Sequence, residues 1–175
     1  MTEIDNDNHS YCVDLVRSLK RDNFLHSLFV PTEQRNDLLA LYALDAELAH
    51  VHVSVTEEVN AHIRYAWWQE SLDDIFSGKP ARKHPVLETL APLITKKHLN
   101  HDTLVALVGS YRNRYPEMPN TGDQVDAMAG ALLHTISPES IKGWQKAGAT
   151  IDKHRTRYGK HMNLWLNLKL LWVGK

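Results

Sequence analysis

Apolar residues recur along most of the chain three and four positions apart, the spacing that brings them to one side of an α-helix. Period-two alternation bounded by turns is nearly absent, and no Asn-Gly or Asp-Gly pair marks a hairpin. The pattern predicts a first helix over Tyr11 to Arg21, a short apolar piece from Phe24 to Phe29, and a long helix opened by Pro31 and reaching about Thr56. A third long helix follows from Glu58 to Phe76, closed by "SGKP". Pro85 suits an early position of the next, Pro85 to Lys97. Further helices are expected over Asp102 to Arg114, Gly122 to Thr135, Pro138 to about Tyr158 and His161 to Val173, with "YPEMPNTG" as the clearest loop. No repeat, low-complexity tract or long linker interrupts the series, so one all-α domain spanning 1–175 is expected, with neighbours that mostly run antiparallel across short loops.

The stretch "IRYAWWQESLDDIF" shows what such a helix is for. At 100° per residue, Ala61, Tyr65, Trp68, Leu72 and Ile75 share one face, a packing seam. Trp67 points elsewhere, on the side of Ile63, Glu70, Ser71 and Asp74, which suggests a helix with apolar contacts on two sides and a place inside a bundle. Glu70, Asp73 and Asp74 are three and four apart, a spacing at which a magnesium ion can bridge two carboxylates. Two carboxylates at helical spacing are common, however, and the favoured reading is a solvated acidic strip paired with Lys or Arg from another helix.

Composition narrows the class. Charged residues balance, Lys+Arg 20 against Asp+Glu 21, and this argues against a general nucleic-acid binder, which carries a basic stripe. The single cysteine, Cys12, has no internal disulfide partner and fits a reducing cytosol. The first thirty residues start acidic and contain no long apolar run, so no signal peptide is expected, and no 18-residue apolar stretch suggests a membrane span. A cytoplasmic protein, peripheral to a membrane at most, is the expectation. Eleven histidines make its charge sensitive to pH near neutrality. His50 and His52 diverge on a helix, while His98 and His101 are better spaced but straddle a helix end, so no zinc site is expected.

Three segments together resemble the squalene/phytoene synthase family, which joins isoprenyl diphosphates head to head. "NFLHSLFVPTEQRNDLLALYALDAELAHV" is similar to the family's opening, where a Pro, an Arg and an "ALYAF" sequence follow an aromatic-rich helix. "IRYAWWQESLDDIFSGKPARKHPVLETLAPLI" resembles the family's Arg, Trp pair, acidic residue, G-x-P turn and "HPV" helix start, and "VDAMAGALLHTI" its "AGALL" helix. The resemblance implies a terpenoid-synthase-like helical bundle. In the enzymes, two aspartate-rich motifs on facing helices hold the magnesium ions that bind and ionise the diphosphates. Here the first motif falls on Ala49, His50 and Val53, and the face it should occupy is built by Leu39, Tyr42, Ala46, Ala49 and Val53, groups that do not coordinate a hard cation. The second falls on "GATIDKHRTRYGKHMN", where only Asp152 is acidic. The chain also ends well before a typical family enzyme does, which implies that later cavity-closing helices are missing.

This combination resembles the non-catalytic branch of the family associated with complex I assembly, in which an "AELA"-like sequence replaces the first motif. It implies an assembly or binding module that needs no cofactor. Partners would then be protein or a second copy of the chain, with an isoprenoid or lipid ligand as a further expectation. A divergent Mg2+-dependent prenyltransferase is the alternative, and its candidate acids are Asp45, Glu47, Glu70 and Asp74. Candidate substrate-binding residues are Arg35, Tyr42, Arg64 and Trp67. The arginines match basic family positions, but can instead pair with acids or cap helix ends. Asp45 and His52 lie seven apart on one helix edge, either as a polar anchor in the old cavity or in buried hydrogen bonds holding helices in register. The C-terminal "HMNLWLNLKLLWVGK" puts Leu164, Trp165, Leu168, Leu171 and Trp172 on one face with Met162, Leu166, Leu170 and Val173 around it, either a core-closing helix or, over 161–173, a surface for another subunit or a membrane interface.

Overall fold

A computed structural model describes residues 3–96 and 98–136, together with 142, 144–146 and 149–150. Among these residues the ordered elements are helices: α1 (Glu3–Leu19), α2 (Arg21–Ser27), α3 (Thr32–Ser54), α4 (Glu58–Phe76), α5 (Pro85–Thr95), α6 (His101–Arg114) and α7 (Gly122–Ile136). The boundaries read from the sequence hold within a few residues, with one exception. Helix α1 begins at Glu3, eight residues before the expected Tyr11, because its polar first half carries little apolar periodicity to announce it. The expected helices beyond Pro138 fall largely outside the described residues, as do the basic segment around Asp152 and the apolar face over 161–173.

Helix α3 is central. Its residues from Leu38 to Leu48 are buried on every side, and it packs against α1, α2, α4, α5, α6 and α7. A helix buried all round has this position in a bundle, and its two acids in this span, Asp45 and Glu47, find their partners inside. Pro31 precedes α3, and the guanidinium of Arg35 reaches back to donate to the carbonyls of Ser27 at 3.1 Å and Val30 at 3.1 Å. It thereby satisfies the open carbonyl end of α2, the helix-capping role allowed for above.

Helix α4 buries the expected seam: Ala61, Tyr65, Trp68, Leu72 and Ile75 are each at most 5% exposed. Its other side is less enclosed than the two-sided pattern suggested, since Ile63 is 60% exposed and Val59 70%. The helix closes through Gly78, whose φ of +85° permits the Gly78 N–H to bond the Ile75 carbonyl and the Lys79 N–H that of Asp74. Helix α5 starts on His84, whose ring nitrogen Nδ1 accepts the Val86 N–H, with Pro85 at the first helical position. Asn100 caps α6 in the same way through Thr103.

One apolar cluster joins α1, α3, α4, α5, α6 and α7, and α2 packs its half-buried Phe24 against it. Trp144, 8% exposed, belongs to it: its indole N–H donates to the Tyr42 hydroxyl at 3.2 Å, its ring meets His26 edge-on, and it lies beside Gly130 of α7. Among the described residues no helix is long and apolar enough to cross a membrane.

Candidate functional site

The α3 acids Asp45 and Glu47 are two residues apart, so they point to nearly opposite sides of the helix and do different things. Asp45, 2% exposed, receives the Tyr111 hydroxyl at 2.7 Å and the Thr121 hydroxyl at 3.0 Å on Oδ1, and the Lys20 ammonium at 2.6 Å on Oδ2. Both oxygens are thereby engaged, and the carboxylate ties α3 to the α1–α2 junction, to α6 and to the loop before α7. Burial, and then the Asp45 charge, push the Tyr111 hydroxyl well above the ordinary tyrosine range, so it remains a donor. Of the two alternatives for Asp45, this is the buried hydrogen bond that sets helix register. His52, the other member of that edge, instead packs its ring against Tyr115, centroids 5.4 Å apart.

Glu47 faces another way. Its carboxylate, 8% exposed in the residue as a whole, accepts a short hydrogen bond from the Tyr11 hydroxyl and lies 3.8 Å from His84 Nε2. Because His84 Nδ1 accepts the Val86 N–H, the ring's proton belongs on Nε2, facing the carboxylate. Desolvation holds the His84 pKa below the ordinary histidine value, partly offset by Glu47 and Glu88.

Around this pair the structure forms a cavity of ≈230 Å³ lined by Glu47, His50 and Val51 of α3, Arg64, Trp67 and Trp68 of α4, and His84. Helical spacing builds it: Glu47 and His50 are three apart, and Arg64 is three and four from the two tryptophans, so each helix offers one strip. Trp67 and Trp68 meet edge-to-face at 5.2 Å, and His84 stands in their corner, 4.8 Å from Trp68 and 5.9 Å from Trp67. Three residues singled out in the sequence, Glu47, Arg64 and Trp67, thus converge. His84 and Tyr11 were missed. The "HPV" signal marks the helix start His84 caps, but nothing local announces that the same ring walls a pocket.

The remaining candidates lie apart. Asp74 is paired with Lys79 at 2.8 Å and Arg82 at 3.0 Å, and these bonds, Lys79 first, hold its carboxyl below the usual range. Glu70 meets the same Arg82 at 3.5 Å, and Asp73 bonds His101 at 2.7 Å. These acids make a surface strip with basic partners. Tyr42 is fully buried under Trp144, so its hydroxyl faces protein.

The donor set on α3 does not fit the family's magnesium ions. Asp45 has both oxygens engaged, and the positions one and two turns on are Ala49 and the exposed Val53, neither of which offers an oxygen ligand. Among the described residues, no three His, Cys, Asp or Glu side chains gather closely enough to hold a metal.

A larger groove of ≈1020 Å³ runs between the C-terminal ends of α4 and α5, the start of α6 and α7. Ile75, Phe76, Ile94, Leu99 and Met128 give it an apolar floor, and His98 and His101 stand on its wall.

The family model for squalene/phytoene synthase matches residues 16–115. Among curated proteins, the chain is 32% identical over 98 residues to the cattle protein named NADH dehydrogenase (ubiquinone) complex I, assembly factor 6, covering 56% of this chain and 29% of that protein. The human protein of the same name gives the same identity and coverage, and the mouse one is 27% identical over 131 residues, 72% of this chain and 39% of its own length. The chain therefore spans about a third of the length of the curated relatives it matches. No solved structure matches it significantly. With more than half of its length matched by the family model, the chain belongs to the squalene/phytoene synthase family, and its helices are those of that all-α, terpenoid-synthase-like fold.

Proposed function

We propose that this chain is an assembly module that works through protein contacts and carries out no prenyl transfer. The observation that carries the reading is the state of Asp45. A carboxylate on the helix where the family's enzymes present their first metal-binding acids is here buried and saturated by Lys20, Tyr111 and Thr121, which makes it a tie between helices. Its neighbours along that helix, Ala49 and Val53, supply no oxygen. Ionising a diphosphate needs cations held between opposed carboxylates, and the acids of α4 turn instead to Arg82, Lys79 and His101. Support for the assembly role comes from the relatives, which are named as complex I assembly factors.

The test is removal of the chain from its host and separation of complex I on a native gel. The reading expects less fully assembled complex and accumulated subassemblies, restored by the wild-type chain. Normal assembly in its absence contradicts it.

A second reading, a carrier for an isoprenoid or other long apolar ligand, is favoured by the apolar groove between α4, α5, α6 and α7. Native mass spectrometry of the chain purified from its host separates the two: a retained lipid-sized adduct, lost on substituting Met128→Asp, supports the carrier.

A further inference from the structure

The cavity between α3, α4 and the start of α5 has charges of opposite sign at different places. Glu47 lies inside, and the only groups the described residues bring to its carboxylate are the Tyr11 hydroxyl and the His84 ring. Neither Lys nor Arg neutralises it among those residues. An acid without a direct Lys or Arg partner on the cavity wall is an attractor for a cation. One ring adds to that attraction: Trp67 is half-buried at the cavity wall, while Trp68 is packed away in the seam with His84 in the corner between them, and the Arg82 guanidinium carbon 5.7 Å from the Trp67 ring centre shows that this indole takes a cation. An indole ring beside a carboxylate is the recognition chemistry of organic ammonium groups.

Arg64 and His50 complete the lining, and both are exposed. Arg64 makes no ion pair among the described residues, so its guanidinium remains available for an oxyanion, which it can bind with two parallel hydrogen bonds. We propose that this cavity binds a small zwitterion, with its ammonium group against Trp67 and Glu47 and its phosphate on Arg64 and His50. The volume of ≈230 Å³ lies below the range of about 300–1,000 Å³ typical for drug-sized ligands and suits a headgroup-sized fragment. A bare phosphate is opposed by the Glu47 charge, and a long hydrocarbon by both that charge and the size of the space. The same chemistry occurs in free phosphocholine and in the headgroup of a choline lipid.

The inference does not depend on the assembly reading, and its test reads binding alone. Phosphocholine, choline and inorganic phosphate are titrated separately into the whole chain by calorimetry. Phosphocholine is expected to bind saturably, with the other two each about tenfold weaker, since each engages one half of the site. Arg64→Gln, at an exposed position, is expected to weaken phosphocholine about tenfold and to bring its affinity down to that of choline. Trp67→Leu is expected to weaken phosphocholine and choline alike. Sedimentation with phosphatidylcholine vesicles, against phosphatidylglycerol vesicles as control, then distinguishes the sources: selective co-sedimentation assigns the site to a lipid headgroup, and its lack to the free solute. No saturable phosphocholine binding, phosphate binding as tightly as phosphocholine, or an unaltered affinity in a folded Arg64→Gln variant overturns the proposal.

Discussion

The hydroxyl of Tyr111 on α6 donates to Oδ1 of Asp45 on α3 across 2.7 Å, in a place where neither residue is more than 2% exposed. Thr121 shares the same oxygen and Lys20 takes the other, so one buried carboxylate fixes four separate parts of the chain. Removing Asp45 strands the Tyr111 and Thr121 donors and leaves the Lys20 ammonium, still 21% exposed in its side chain, to reach for water. Asp45→Ala is expected to cost about 3–5 kcal/mol, the scale for breaking a buried ion pair from one side. Tyr111→Phe removes one charge-assisted bond and should cost about 1.5–3 kcal/mol. Urea unfolding of both single variants and the double variant checks this, and the account expects the double to cost less than the sum of the singles.

Trp68 should be far less replaceable than its sequence neighbour. It is 3% exposed on the buried seam, whereas Trp67 is half-buried at the cavity wall. Trp68→Ala is expected to cost about 3–5 kcal/mol. Trp67→Leu, which keeps apolar bulk at a half-covered position, should stay within about 1.5 kcal/mol of wild type. Thermal melts of the two variants decide it, and equal losses would mean that the pair forms one undivided core contact.

Two histidines should titrate on opposite sides of their ordinary value of 6.5. His101 is raised by its hydrogen bond to Asp73, helped by Asp102. Its contribution to stability is complete below pH 6.5 and fades as pH climbs through the raised folded-state value. His84 is lowered by desolvation, so the unfolded chain takes up its proton first, and stability declines as pH falls below 6.5 toward the depressed value. Proton NMR titration of the ring Cε1–H signals, assigned by His101→Gln and His84→Gln, reads both. Coincident midpoints would show that neither contact persists in solution.

Cys12 should be inert in the folded chain. It is fully buried at the α1–α5 contact, its thiol 3.8 Å from the Thr89 hydroxyl, and burial pushes its pKa up to about 11. Thiolate is the reacting form. Labelling by a disulfide reagent at pH 8 is therefore expected only as fast as the chain opens, and to become immediate in denaturant. Rapid native labelling would place α1 away from the bundle.

Much of the bundle was visible in the spacing of apolar residues. The seam of α4 is an instance: all five positions assigned to it from 100° geometry are buried, because packing needs only a regular stripe. The start of α1 was not visible, since residues 3–10 are mostly polar and their helix is held by contacts elsewhere, such as the 2.6 Å bond from Asn8 to Glu88 of α5. Candidate site residues divide along the same line. Arg64 and Trp67 share a helix strip with each other, so periodicity could bring them together, and Glu47 joins them only because α3 packs alongside. Lys20, Tyr111 and Thr121 could not be joined to Asp45 from sequence, because they lie 25 to 76 residues away and come together only in the folded bundle. Acidic residues are legible as carboxylates, but whether they face a cavity or a tyrosine is a tertiary fact.

The most direct test of the central claim is pyrophosphate release by the purified chain supplied with Mg2+ and farnesyl or geranylgeranyl diphosphate. The account predicts no release above the protein-free background, because the Asp45 carboxylate of α3 is committed to Lys20, Tyr111 and Thr121 and Ala49 and Val53 beyond it supply no oxygen. Sustained release that disappears in a folded Asp45→Asn variant would contradict it.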